Sequence, residues 1–168
     1  MIYMKLTQFV PIPLIVAIFA FAWMVIAAQF NLLGWVAFVT WGGYFLTGVT
    51  TKSAVRELIA YSLGILAGVM IVILAMNVGT PFGGYTLPVI VGVAAFIIVL
   101  LELVPWFDMA PMYFLGAAVF FAAGAKPDVQ TIMATWIPGI LGLVLGIVVA
   151  RIRGQVFKME GLKDPLSK

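Results

Sequence analysis

Six apolar blocks follow one another along the chain, separated by short polar clusters. The pattern predicts helices over residues 9–30, 32–49, 58–76, 85–104, 110–125 and 129–150. Blocks of about 17 to 22 residues match the thickness of a bilayer's hydrocarbon core; the fifth is shorter. The breaks read as turns at Gln29 and Asn31, at Thr50 to Ser53, at Asn77 to Gly84, at Pro105 to Asp108 and at Lys126 to Asp128. Lys52, Arg56 and Glu57 read as anchors at the interface. Pro111 suits the first turn of the fifth helix, and Pro138 falls inside the sixth. Residues 1–8 form a polar lead. The first block is too long for a signal peptide, opens with Pro11 and Pro13 and precedes no small-residue cleavage site, so it is expected to be a retained helix.

Composition fixes the class. Of 168 residues, 65% are hydrophobic and 9% charged, and the mean hydropathy is +1.23. A soluble domain of this size cannot bury so much apolar surface. The expectation is an all-α membrane protein with six transmembrane helices and no room for a soluble catalytic domain. The chain has no Cys and no His. That excludes disulfides, Cys or His metal sites, thiol nucleophiles and imidazole chemistry. No catalytic constellation, metal site or cofactor motif is present, so an enzyme is not expected.

Charge sets the orientation. Six spans put both termini on one side, and placing them in the cytoplasm puts Lys5, Lys52, Arg56 and the cations of the basic tail at 151–168 inside. Only Lys126 of the nine basic residues is left outside. The net charge of +3 therefore speaks of topology and anionic lipid headgroups, not of nucleic acid.

A motif recurs. Phe38, Tyr44, Phe45 and Gly48 return at the same spacing as Phe114, Phe120, Phe121 and Gly124. Seven residues apart on a helix, Phe38 and Phe45 share a face with Gly42, and Phe114 and Phe121 share one with Ala117 or Ala118. Two further matches are collinear. Residues 13–21 align with 88–96, and Gly64 and Gly68 with Gly142 and Gly146. The chain thus reads as one three-helix unit occurring twice, over 9–76 and 85–150, joined by an outer loop at 77–84. An odd number of spans enters the membrane from opposite sides in its two copies, so the repeats are inverted. In that plan a solute path lies at the repeat interface. Phe38 and Phe121 would then fall at one depth and Phe45 and Phe114 at another, about 10 Å apart. Gly64-x-x-x-Gly68 and Gly142-x-x-x-Gly146 are helix-packing faces, toward a neighbouring helix or another subunit.

The run Leu33-Gly34-Trp35-Val36-Ala37-Phe38 with Tyr44-Phe45, and Phe114-Leu115-Gly116-Ala117 with Phe121-Ala122, resembles the YcdZ-like bacterial inner-membrane proteins, a domain of unknown function. The resemblance covers about residues 10–150. It implies a bacterial inner membrane and several spanning helices, and it names no substrate.

The middle of the membrane holds no charge by this reading. Its polar atoms belong to residues such as Thr40, Trp41, Tyr44, Thr47, Tyr61, Ser62, Thr131, Thr135 and Trp136. Thr40, Tyr44 and Thr47 share a stripe beside the Phe face. Glu102, near the inner end of the fourth helix, is the candidate proton relay. An uncharged aromatic path suits a small neutral solute, because an ion stripped of water beside Phe finds no carbonyl or charged ligand. The expected function is a channel or facilitator for urea, a short amide or a small weak acid. Its path would run between the repeats along Phe38, Thr40, Trp41, Gly42, Tyr44, Phe45, Phe114, Ala117, Ala118, Phe120 and Phe121. Proton-coupled transport and a non-transporting scaffold are the alternatives. A homo-oligomer is expected, alongside membrane lipid and the solute as partners.

Overall fold

The structure, a computed structural model, describes residues 6–161, 164 and 165. Lys5, Lys163 and Lys168, counted above among the inner cations, lie outside the described residues. After a single turn at Leu6–Phe9 come six principal helices: α1 (Pro11–Gln29), α2 (Gly34–Thr47), α3 (Thr51–Asn77), α4 (Thr86–Leu100), α5 (Ala110–Ala122) and α6 (Val129–Met159). Short 3-10 turns precede and follow α4. Four segments are long and apolar enough to cross a membrane: α1, α3, α6 and Gly83–Leu103, which contains α4. At about 1.5 Å per residue, α2 and α5 reach only about 20 Å, short of the roughly 30 Å core.

Two helices outrun the blocks that predict them. α3 begins at Thr51, because Thr50 caps it. The Thr50 hydroxyl accepts from the Ser53 amide and the Ser53 hydroxyl from the Thr50 amide, both at 3.0 Å. That capping box satisfies amides the first turn leaves open and draws Arg56 and Glu57 into the helix. α6 likewise runs on through Arg151 and Arg153 to Met159, so the first part of the basic tail is helical.

The core is two close pairs, α3 with α5 and α2 with α6. Each pair runs parallel, as the contacts advance together along both helices. Gly64 lies against the Tyr113 carbonyl and Gly68 against the Phe120 ring. Gly142 lies against the Ala37 carbonyl and Gly146 against Trp41 and Tyr44. Glycine is required where backbone meets backbone, since a Cβ would occupy the partner's carbonyl. All four glycines therefore serve packing within the chain. α1 and α4 pack outside, mostly exposed to the surroundings. The Trp23 indole ties α1 to the start of α2 through the Gly34 carbonyl at 2.8 Å.

Around Pro138, side chains of other helices donate to α6. The Tyr61 hydroxyl donates to the Thr135 carbonyl at 2.9 Å, and the Thr40 hydroxyl to the Gly139 carbonyl at 2.6 Å. The carbonyl that Pro138 leaves without an amide is that of Ala134, so these two bonds are additional ties between helices.

Local geometry recurs at the repeat offsets. Gly48 and Gly124 have φ of 111° and 108°, followed by Val49 and Ala125 at 55° and 54°. In both places the second residue's amide donates back to the carbonyl of Tyr44 or Phe120, at 3.4 and 3.2 Å. Such left-handed closures favour glycine and cap the helix end. Asn31 and Trp106, 75 apart, also share positive φ.

Candidate functional site

On α2 the buried face is Val36, Ala37, Thr40, Trp41, Gly43 and Tyr44. On α5 it is Met112, Tyr113, Gly116, Ala117, Val119 and Phe120. Position by position these are the same face, offset by 76. The opposite faces hold the Phe stripes. Phe38 is 39% exposed, Phe114 44% and Phe121 40%; Gly42 and Ala118 are exposed and Phe45 half-buried. The predicted site residues thus divide. Thr40, Trp41, Tyr44, Ala117 and Phe120 pack inward, while Phe38, Gly42, Phe45, Phe114, Ala118 and Phe121 look outward. The two stripes do not close on each other inside one chain. The centre is filled instead by Tyr61, Ile65, Val69, Val119 and Phe120 with Val36. The reason is steric: Gly116 admits the backbone of α3 and Gly43 the Glu57 and Met112 side chains, and both glycines lie on sides of their helices turned away from the Phe rings.

Phe38 stacks on Trp41 with centroids 5.8 Å apart. With Gly42, Phe45, Val16 and Ala20 they line a groove of about 360 Å³ between α1 and α2, with Arg153 at its rim. A larger groove of about 490 Å³ lies between α3 and α6, where Tyr44, Thr51, Arg151 and Asp164 bring polar atoms to a mostly apolar wall.

Charge gathers at the end of the bundle where α2 stops and α3 and α5 begin. Arg56 pairs with Asp108. The Arg56 guanidinium, by its hydrogen bond above all, holds the Asp108 carboxyl below the usual carboxylate range. Lys52 lies 5.6 Å over the Trp106 ring. Glu57, expected as an anchor at the interface, is fully buried. That expectation fails because the helix starts seven residues before residue 58, which turns Glu57 into the α2–α3–α5 junction. One of its oxygens accepts from the Thr47 hydroxyl at 3.2 Å. Glu102, by contrast, is exposed on the 3-10 turn Leu101–Leu103. The signal that could have found Glu57 is the Thr50-x-x-Ser53 cap, with Gly43 and Thr47 four apart on the facing helix. Lys126 and Asp128 are exposed at the other end, and Asp128 caps α6 through the Thr131 amide at 2.7 Å. Among the described residues no group of acidic side chains could hold a metal ion.

Long apolar helices, glycine-mediated backbone contacts and outward aromatic stripes define an all-helical membrane protein. The chain belongs to the family described as "Protein of unknown function (DUF1097)", which matches residues 13–154. That match supplies neither an activity nor the YcdZ-like name. No curated protein and no solved structure matches the chain.

Proposed function

We propose that this chain is a channel or facilitator for a small, mostly neutral solute of the urea, short-amide or weak-acid class, in the bacterial inner membrane. It is built as two inverted three-helix repeats with both termini in the cytoplasm. The recurring backbone geometry and the matched glycine contacts support the repeat, and the distribution of Lys and Arg supports the orientation. The observation that carries the reading is the accessible Phe–small–Phe stripe on each of the two short helices. Short apolar segments at corresponding places in two repeats are where such proteins build their solute path. Since the centre of one chain is packed, the stripes line a path between copies in a homo-oligomer. The glycine faces, used within the chain, are not offered to a second subunit. The exposed setting of Glu102 gives no support to its role as a proton relay.

Stopped-flow light scattering on proteoliposomes tests the proposal. They are challenged with urea, acetamide, formamide and glycerol, and with acetate across pH. Uptake of at least one neutral solute well above that of protein-free liposomes, with no imposed gradient of ions, is the expected result. Traces equal to protein-free liposomes across the panel would overturn it.

A further inference from the structure

The least expected group in the molecule is a buried carboxyl that takes part in no ion pair among the described residues. Glu57 stands in the second turn of α3, about 9 Å along the axis from Thr51, and is 0% exposed. Its Oε2 accepts from Thr47 at 3.2 Å, and its Oε1 has no hydrogen-bond partner. Oε1 points at Gly43, where a Cβ would stand 2.7 Å from it, beside the Met112 sulfur and methyl. Only the missing side chain of Gly43 leaves room for it.

The neighbouring groups do not neutralise it. On α3 itself, Arg56 is turned to Asp108 and Lys52 to Trp106. α2 presents the Thr47 and Tyr44 hydroxyls. α5 presents Met112 and Tyr113, whose hydroxyl is also buried without a partner. α6 brings Arg151, which lines the α3–α6 groove with Tyr44 and is in neither of the two ion pairs found among the described residues. α4 presents no charged side chain, and Glu102 beyond it is exposed. Among the described residues the ion pairs are Arg56–Asp108 and Arg153–Asp164, and Glu57 is in neither. An ionised carboxylate in this place would have one donor, no exposure to solvent and no ion-pair partner among the described residues. One neutral hydrogen bond does not offset that desolvation. A carboxylic acid needs far less, since the neutral form carries a much smaller desolvation cost.

We propose that Glu57 is a proton-binding site, protonated in this conformation, that releases its proton to water only when α2 and α5 part at Gly43 and Met112. The step breaks the O–H bond, passes the proton to water and leaves a hydrated carboxylate; no other reactant is needed. The site goes beyond the transport reading and does not depend on it, since a chain that passes no solute would still hold this proton.

Infrared spectroscopy of the purified chain in an ester-free detergent tests it. Exposed carboxyls ionise near about pH 4, so an acid C=O stretch that persists at about pH 7 belongs to a buried acid. The expected result is a band worth one carboxyl per chain. It is absent from Glu57→Gln, retained in Glu102→Gln and displaced in Glu57→Asp. After transfer to D2O the band shifts slowly, as each opening admits water. Absence of the band in the wild-type chain, or its survival in Glu57→Gln, would overturn the assignment. A shift complete within mixing would overturn the gating by α2 and α5. The wild-type and Glu57→Asp spectra keep the test decisive if Glu57→Gln folds poorly.

Discussion

A methyl group added at Gly142 tests the packing most sharply. The Cβ of Gly142→Ala would press on the Ala37 carbonyl and stand 2.5 Å from both the Ala37 Cα and the Thr40 Oγ1. Two of these three atoms are backbone, so relief requires moving a helix, not turning a side chain. Overpacking of this kind costs about 1–3 kcal/mol. Parting α2 from α6 also strains the Thr40 bond to Gly139, and an interhelical bond in a membrane protein is worth about 0.6 kcal/mol, at most about 1.7. Alanine returns about 0.8–1.0 kcal/mol through helix propensity. The net loss expected is about 1–3 kcal/mol. Gly64→Ala, facing the Tyr113 carbonyl in the matching pair, should fall within about 1 kcal/mol of it, since both create the same kind of clash. Gly146→Ala meets its nearest atom at 3.3 Å and should be mild. Gly92→Ala on α4 meets nothing within 4 Å and should be neutral or stabilising. Reversible unfolding in mixed micelles, followed by tryptophan fluorescence, measures the series. Equal stability of Gly142→Ala and Gly92→Ala would refute the close approach of α2 and α6.

Other outcomes follow from the same contacts. Thr40→Val keeps the shape but loses the donor to Gly139, and should cost about 0.5–1.5 kcal/mol in the same micelle assay; no loss would mean that bond is not formed. The lowered Asp108 pKa makes the Arg56 pair fully stabilising above the unfolded carboxylate value of about 3.9. The benefit fades as pH falls through the lower folded value, and Asp108→Asn should abolish this acid-side dependence of melting temperature. Because the chain lacks Cys, single cysteines report topology directly. Lys126→Cys should react with an impermeant maleimide from the outer face, and Lys52→Cys only after permeabilisation. The reverse pattern would invert the proposed orientation.

Much of the architecture is legible because lipid imposes it. Apolar blocks separated by Gly, Pro and Asn mark the helices to within a few residues wherever a block ends at a turn, as at Gln29 and Val129. The glycines of α3 and α6 are readable as contact points, since only close backbone approach asks for two of them four apart. Two things are not readable. Periodicity tells which residues share a face, not what the face meets. Phe38 and Phe114 therefore look equally suited to a central lining and to the outer surface they occupy. The polar cluster from Thr50 to Glu57 resembles an interface, because hydropathy registers the charges and misses the capping box that carries the helix through them. Glu57 becomes a buried group through that cap and through Gly43 on another helix, a coincidence that no single window contains.

The most direct test of the account is solute flux through Phe38→Ala and Phe121→Ala. It is measured by stopped-flow light scattering in proteoliposomes, against the wild-type chain at equal protein content. Both side chains are about 40% exposed and each is in one ring contact, with Trp41 and Phe120 respectively, so the micelle unfolding assay first establishes that both variants are folded. A change in the rate of the permeant solute, or in the ranking of urea against acetamide and glycerol, is the predicted result. Flux and ranking identical to wild type in both variants would contradict the claim that the aromatic stripes line the path.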